Sequence, residues 1–195
     1  MALQTLTPTK DTFLRSSQVS LNFGADVDLI IQKGSLGAKQ WMLLEFDLSS
    51  VANKVISAVL RLSVSTSDNI SINWAVYRLR RLDWIESEAT WNDYLLPANW
   101  SIAGAEHTVE DRDTSISLTG TLPANTTGWY RFGDIRAHAR DAIDNHSGAM
   151  AIIVVQTGIN SGALWKFHSK ENGDSSLIPQ LLVSTTKSGF LLYDE

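Results

Sequence analysis

Apolar residues recur at every second position in block after block of this chain. Ile56, Ala58, Leu60, Leu62 and Val64 share one phase, while Ser57, Arg61, Ser63 and Ser65 take the other. Alternation over this length predicts a half-buried strand over 55–65. Met42, Leu44, Phe46 and Leu48 repeat the pattern, with Glu45 and Asp47 opposite. A further run begins at Ile70, with Ile72, Trp74 and Val76 in phase before Tyr77 and Leu79 take over. A one-residue slip moves every later side chain to the other face, so this switch predicts a bulge near Val76.

Shorter strands are predicted over 11–15, 27–31, 115–118, 129–132, 149–156, 163–169 and 180–185. Turn signals separate them: Asn22-Phe23-Gly24, Lys33-Gly34-Ser35, Asp68-Asn69, Asn145 to Gly148 and Asn172-Gly173-Asp174. Many short strands at such spacing predict a sandwich or jelly roll. One segment departs from period two. Ile135, Ala139, Ala142 and Ile143 fall on one helical face behind Asp134, a residue suited to capping, which predicts a short helix. Residues 95–127 are rich in Asn, Gly, Thr and Asp and predict long loops, where function tends to lie. The fold class is therefore all-β: a jelly-roll-like antiparallel β-sandwich with one short α-helix. It forms a single domain over 1–195, with 1–10 and 187–195 as candidate interaction extensions.

Composition narrows the chemistry. A chain of 195 residues buries roughly 70% of its unfolded surface in one domain, so its core needs no staples. Cysteine is absent, which excludes disulfides and thiolate metal sites. The net charge is −5, and the only basic cluster is Arg78-Leu79-Arg80-Arg81. Phosphate binding needs more than this, and a solvated face is the plainer reading, so nucleic acid is not an expected partner. No window holds the ~18 apolar residues of a membrane span. Residues 1–8 lack the charged and apolar regions of a secretion signal.

The most specific signature is Trp84-Ile85-Glu86-Ser87-Glu88-Ala89-Thr90-Trp91-Asn92. Around it stand Asp11-Thr12-Phe13-Leu14, Asn22-Phe23-Gly24, Phe46 to Ser50, Ser57 to Leu62, Tyr77-Arg78-Leu79, Trp100 with Gly104-Ala105, Gly148-Ala149, Phe167 to Glu171 and Pro179-Gln180-Leu181. This ordered set resembles the DNRLRE (disaggregatase-related) carbohydrate-binding-module family across nearly the whole chain. The resemblance implies a jelly-roll sandwich without catalytic activity. Its members sit on secreted polysaccharide-active proteins or stand alone among phage structural proteins. The chain carries no catalytic neighbour, linker or export signal, which favours the stand-alone form.

Candidate chemistry is sparse. Aromatic faces stack on sugar rings, so Trp84, Trp91, Trp100 and Trp129 are candidate glycan contacts, whereas Trp74 is in phase with the core. The Trp84–Asn92 segment has a second reading, in which it packs a loop against the sheet. Glu86 and Glu88 could pair as in a glycosidase, but nothing else converges on them in sequence. Glu110, Asp111 and Asp113 are candidate ligands for calcium, with an exposed acidic loop as the alternative. The four histidines are scattered, and no serine sits in a nucleophile elbow. In the tail, Phe190, Leu191, Leu192 and Tyr193 either pack on this domain or dock on a neighbour.

These features predict a non-enzymatic virion structural protein, as a capsid decoration or cement, tail or fibre component. It would sit on the virion surface and bind other virion proteins, further copies of itself and a polysaccharide. The alternative is an extracellular carbohydrate-binding module of a polysaccharide-active system. No cofactor beyond the candidate calcium is expected, and no membrane partner.

Overall fold

The computed structural model describes residues 1–34, 37–51, 54–158 and 162–186. Phe190, Leu191, Leu192 and Tyr193 lie outside the described residues. In chain order the strands are β1 (Ala2–Leu6), β2 (Lys10–Arg15), β3 (Asp28–Lys33), β4 (Lys39–Asp47), β5 (Val55–Thr66), β6 (Ile72–Leu79), β7 (Asp93–Leu95), β8 (Ala98–Asn99), β9 (Arg112–Leu122) and β10 (Gly128–Asp134). Helix α1 (Arg136–Asn145) follows, then β11 (Ala149–Thr157), β12 (Leu164–His168) and β13 (Gln180–Thr185). Among the described residues no helix is long and apolar enough to cross a membrane.

All pairings are antiparallel. One layer runs β2-β4-β11-β6-β9. In the other, β5 pairs with β10 along one edge and with β13 and then β12 along its length, while β1 extends β13 and β3 extends β12. A short pairing of Gln32 and Lys33 with Gln40 and Lys39 joins the layers into one curled sheet. The predicted all-β sandwich is the observed fold.

Even-numbered residues of β4, β6 and β11 point into the sandwich. Met42, Leu44, Trp74, Val76, Ile152 and Val154 meet Leu60, Leu62, Phe132, Trp165, Phe167 and Val183 there. Odd-numbered residues of the same strands point outward, yet they too are buried. Leu43, Ala75, Leu79, Ala151, Ile153 and Val155 pack beneath Trp84, Ala89, Trp91, Trp100 and Ala105. Residues 80–111 thus form a cover over the outer face. Met150 to Gln156 are buried without a break for this reason.

The cover explains the phase switch at Val76. β6 keeps one unbroken register against β11. Its even residues face the sandwich core and its odd residues the second core, so no side chain has slipped. The irregularity belongs to β9, where Arg78 pairs with Asp113 while Tyr77 pairs with Ser117. The expectation of long loops over 95–127 is also corrected, because β9 occupies 112–122. It is an edge strand whose Ser, Thr and Gly residues are mostly exposed, so its alternation carries little apolar contrast.

Helix α1 lies where its period placed it. Ile135, Ala139 and Ala142 are buried, and Ile143 packs at the margin of the same core. Asp134 caps it from one position earlier than the terminal residue, accepting from the Arg136 N–H at 3.0 Å and from the Ala58 N–H of β5 at 2.9 Å. His138 is only 1% exposed on this helix. Burial pushes its imidazole down to about 4, with the Val76 backbone and Asp141 opposing only in part.

Two predictions follow from this packing. Gly104 has a positive φ of 80°, and a Cβ there would lie 2.5 Å from the Trp91 ring. Gly104→Ala should cost about 2–4 kcal/mol from backbone strain and overpacking, read as a lower urea midpoint with an unchanged slope. For His138 the folded form binds its proton later than the unfolded chain does. Its contribution is therefore present above about pH 6.5 and is lost as pH falls toward 4. In melts from pH 7 to pH 4, His138→Leu should lose less stability than the parent; equal losses would refute the assignment.

Candidate functional site

The cover is held by hydrogen bonds as well as by indoles. Thr90 Oγ1 accepts from the N–H groups of Asn92 and Asp93 at 3.2 and 3.0 Å, folding the Thr-Trp-Asn turn. Trp100 Nε1 donates to the Thr90 carbonyl at 2.9 Å. Glu86 Oε1 accepts from the Asp11 N–H at 2.6 Å, and Glu88 Oε2 from the Leu96 N–H at 2.8 Å. The two glutamates therefore serve different parts of the backbone and do not face a shared cleft as a glycosidase pair would. Asn22 clasps the segment from outside, donating to the carbonyls of Glu86 and Ala89 at 2.6 and 2.8 Å.

This arrangement corrects the expected sugar platform. Trp84, Trp91 and Trp100 are 0%, 8% and 4% exposed, so their faces pack on protein and are closed to a glycan. Trp129 differs. It projects from β10 on the outer face of the other layer, partly exposed, with the Arg61 guanidinium 4.4 Å from its ring. Arg61 is itself held by Gln180 Oε1 at 2.9 Å through Nε.

The expected calcium ligands are also placed elsewhere. Asp111 is fully buried, and its carboxylate accepts from the N–H groups of Ser101 and Ile102 at 2.9 Å each. Arg81 lies 3.7 Å away. Asp113 accepts from Arg78 at 2.8 Å and Arg80 at 2.7 Å. The Ser115 hydroxyl and these guanidinium groups hold its carboxyl down at about 2. Glu110 is exposed and apart. The basic cluster and the acidic run thus neutralise each other, and Arg78 is largely enclosed, not on a solvated face.

Carboxylates do converge at Asp11, Glu86 and Glu171, where one oxygen from each lies within 4.8 Å of the others. Burial, followed by the nearby Glu171 and Glu86 charges, pushes Asp11 up to about 8 against a hydrogen bond from the Lys170 N–H. Nothing in the spacing of these three residues announced the cluster, because the fold assembles it from distant segments.

The cover stops short of one end of the sheet. There an open cleft of about 350 Å³ lies over β4, β6 and β11. Lys33, Lys39, Tyr77, Glu106, Arg112 and Gln156 line it. Lys39 Nζ donates to Glu106 Oε1 at 2.6 Å, and Trp41 Nε1 reaches the same oxygen at 3.2 Å. The Arg112 guanidinium stands 5.0 Å over the Tyr77 ring. Its buried Nε has no hydrogen-bond partner among the described residues. Three cations and one carboxylate make the cleft locally basic in a chain of net charge −5.

A sandwich with a polar cleft at the margin of one sheet has the build of a binding module. The chain belongs to carbohydrate-binding module family 96, whose model matches residues 2–185. This supports the carbohydrate-binding-module part of the resemblance. No curated protein matches the chain.

The two acidic positions in the cover separate by variant. Asp111→Ala leaves several buried N–H groups and a guanidinium without their acceptor, and should cost roughly 3 kcal/mol or more. Glu110→Ala should change stability by less than about 0.5 kcal/mol. Urea denaturation checks both, and added calcium should alter neither difference.

Proposed function

We propose that the chain binds a polysaccharide non-catalytically, with the cleft around Lys33, Tyr77 and Arg112 as the principal contact. The observation that carries this is family membership over 2–185 together with a cleft lined by hydrogen-bonding side chains. Sugar hydroxyls exchange water for such donors and acceptors, and the half-buried Thr157 and Lys33 offer both kinds in one place. The local excess of positive charge favours a glycan carrying carboxylate or sulfate groups, since guanidinium and ammonium groups form the stronger, charge-assisted hydrogen bonds.

A second contact is favoured by Trp129. Its partly exposed ring, with Arg61 and the exposed Arg131 on the same strands, is suited to stacking one sugar ring beside an anion. Docking on a phage particle, with virion proteins or further copies as partners, rests on Phe190 to Tyr193. Those residues lie outside the described structure. Family membership supports the glycan reading over that one.

Affinity electrophoresis through a polyuronate, a sulfated galactan and a neutral glucan tests the proposal. Retardation is expected in the acidic gels. Lys33→Ala and Arg112→Ala should each weaken it about tenfold, near 1.4 kcal/mol, while leaving the circular dichroism spectrum unchanged. Loss of binding in Trp129→Ala alone would move the site to the other layer. No retardation in any gel would remove the glycan reading and leave docking as the better account.

A further inference from the structure

We propose that Asp11, Glu86 and Glu171 form a calcium site that fastens the cover to the body of the sandwich. The inference does not depend on the glycan cleft. It begins with an imbalance of donors and acceptors. Asp11 is 1% exposed, and its Oδ2 accepts from the Lys170 N–H at 2.9 Å. Among the described residues its Oδ1 has no hydrogen-bond donor, and neither does the buried Oε2 of Glu171. Buried carboxylate oxygens without a partner are costly, because each gives up water for nothing in return. Two such oxygens in one cluster call for a shared positive species.

Charge and geometry identify its kind. Lys170 Nζ lies 3.0 Å from Glu86 Oε2 and also contacts Glu171 Oε1. With all three carboxyls ionised, as ion binding requires, they and one ammonium sum to a formal charge of −2, which one divalent cation cancels. The donors are all oxygen, which suits a hard ion and not a transition metal. Their mutual spacing lies within 4.8 Å. Two oxygens each about 2.3–2.6 Å from one calcium ion can be no further apart than about twice that distance. The limit for magnesium, at about 2.1 Å, is tighter. Glu86 and Glu171 are only partly buried, which leaves a side from which an ion and its remaining waters can enter.

The three ligands come from three separate segments. Asp11 is in β2, Glu86 in the cover and Glu171 just beyond β12. An ion at their centre would tie the cover to both layers. Around it the backbone is already arranged. Glu86 is aimed by the Asp11 N–H, and Gly24 lets the chain pass where a Cβ would sit 2.5 Å from the Glu86 carbonyl.

The full chain, purified through a chelator, should bind one calcium ion in isothermal titration. At a hundredfold excess over Kd, its melting temperature should rise by about 5 °C or more. Terbium should bind with emission excited through tryptophan, Trp84 being two residues from Glu86, and calcium should quench that emission. Glu171→Gln and Asp11→Asn should each abolish the heat and the thermal shift, while Glu110→Ala keeps both. The inference is overturned if the parent chain gives neither heat nor a shift in millimolar calcium, as expected if Asp11 and Glu171 instead share a proton. It is equally overturned if binding survives both substitutions.

Discussion

The structure depends on burying the sheet β4-β11-β6 on both of its faces. A sandwich sheet ordinarily keeps one face wet, and its strands then alternate apolar with polar residues. Here the outward residues Leu43, Ala75, Leu79, Ile153 and Val155 are as apolar as the inward ones. Left in water they would present a large greasy patch. Residues 80–111 remove it from water. An irregular segment can do this only if its own amides find partners, since buried backbone without them is costly. The polar residues of the cover therefore act chiefly as acceptors for main-chain N–H groups. Asp111, Glu86, Glu88 and Thr90 each serve at least one.

This accounts for what was legible in the sequence and what was not. The strands with a single buried face, such as β5 and β13, were open to reading because apolar contrast survives along them. β6 imitates a bulged strand, since a strand buried on both sides resembles a strand that changes phase. β9 shows itself only in its middle, over 115–118 of 112–122. An edge strand of Ser, Thr and Gly has the conformation without the contrast. The Trp84–Asn92 segment is specific in sequence, but residue type does not separate its two readings. Tryptophans beside carboxylates serve equally to hold a sugar or to hold a loop. Only the burial of Trp84, Trp91 and Trp100 decides between them. The cleft was invisible for a different reason. Lys33, Tyr77, Glu106 and Arg112 come from β3, β6, the cover and β9, and no spacing along the chain links them.

The position of the cleft follows from the length of the cover. Over most of the sheet the cover takes up the outer face and leaves nothing to bind. Beside Glu106 the sheet's outward face stays open, and Lys39, Tyr77 and Thr157 join Trp41 and Val155 in lining it. Glu106 accepts from Lys39 and Trp41 there and forms one wall. A chain with an overall acidic balance still presents basic groups at this point. Part of its negative charge is used inside, where Asp111 and Asp113 face Arg81, Arg78 and Arg80. Net charge alone therefore misjudges the partner this surface would favour.

Two buried carboxylates, Asp111 in the cover and Asp11 beneath it in β2, make an instructive contrast. Asp111 and Asp11 are both almost fully enclosed, at 0% and 1% exposure. Asp111 has N–H donors on both of its oxygens and an arginine within reach. An ion there would have to displace donors that already satisfy the charge. Asp11 has one oxygen satisfied and one bare, and its nearest charged neighbours include two further carboxylates. The same residue type in the same degree of burial is closed to a cation in one place and short of one in the other. Donor accounting, not acidity, separates a carboxylate that builds the fold from one still able to take a ligand. By that criterion Asp111 and Asp113 are complete, and the dispersed set Asp11, Glu86 and Glu171 is not.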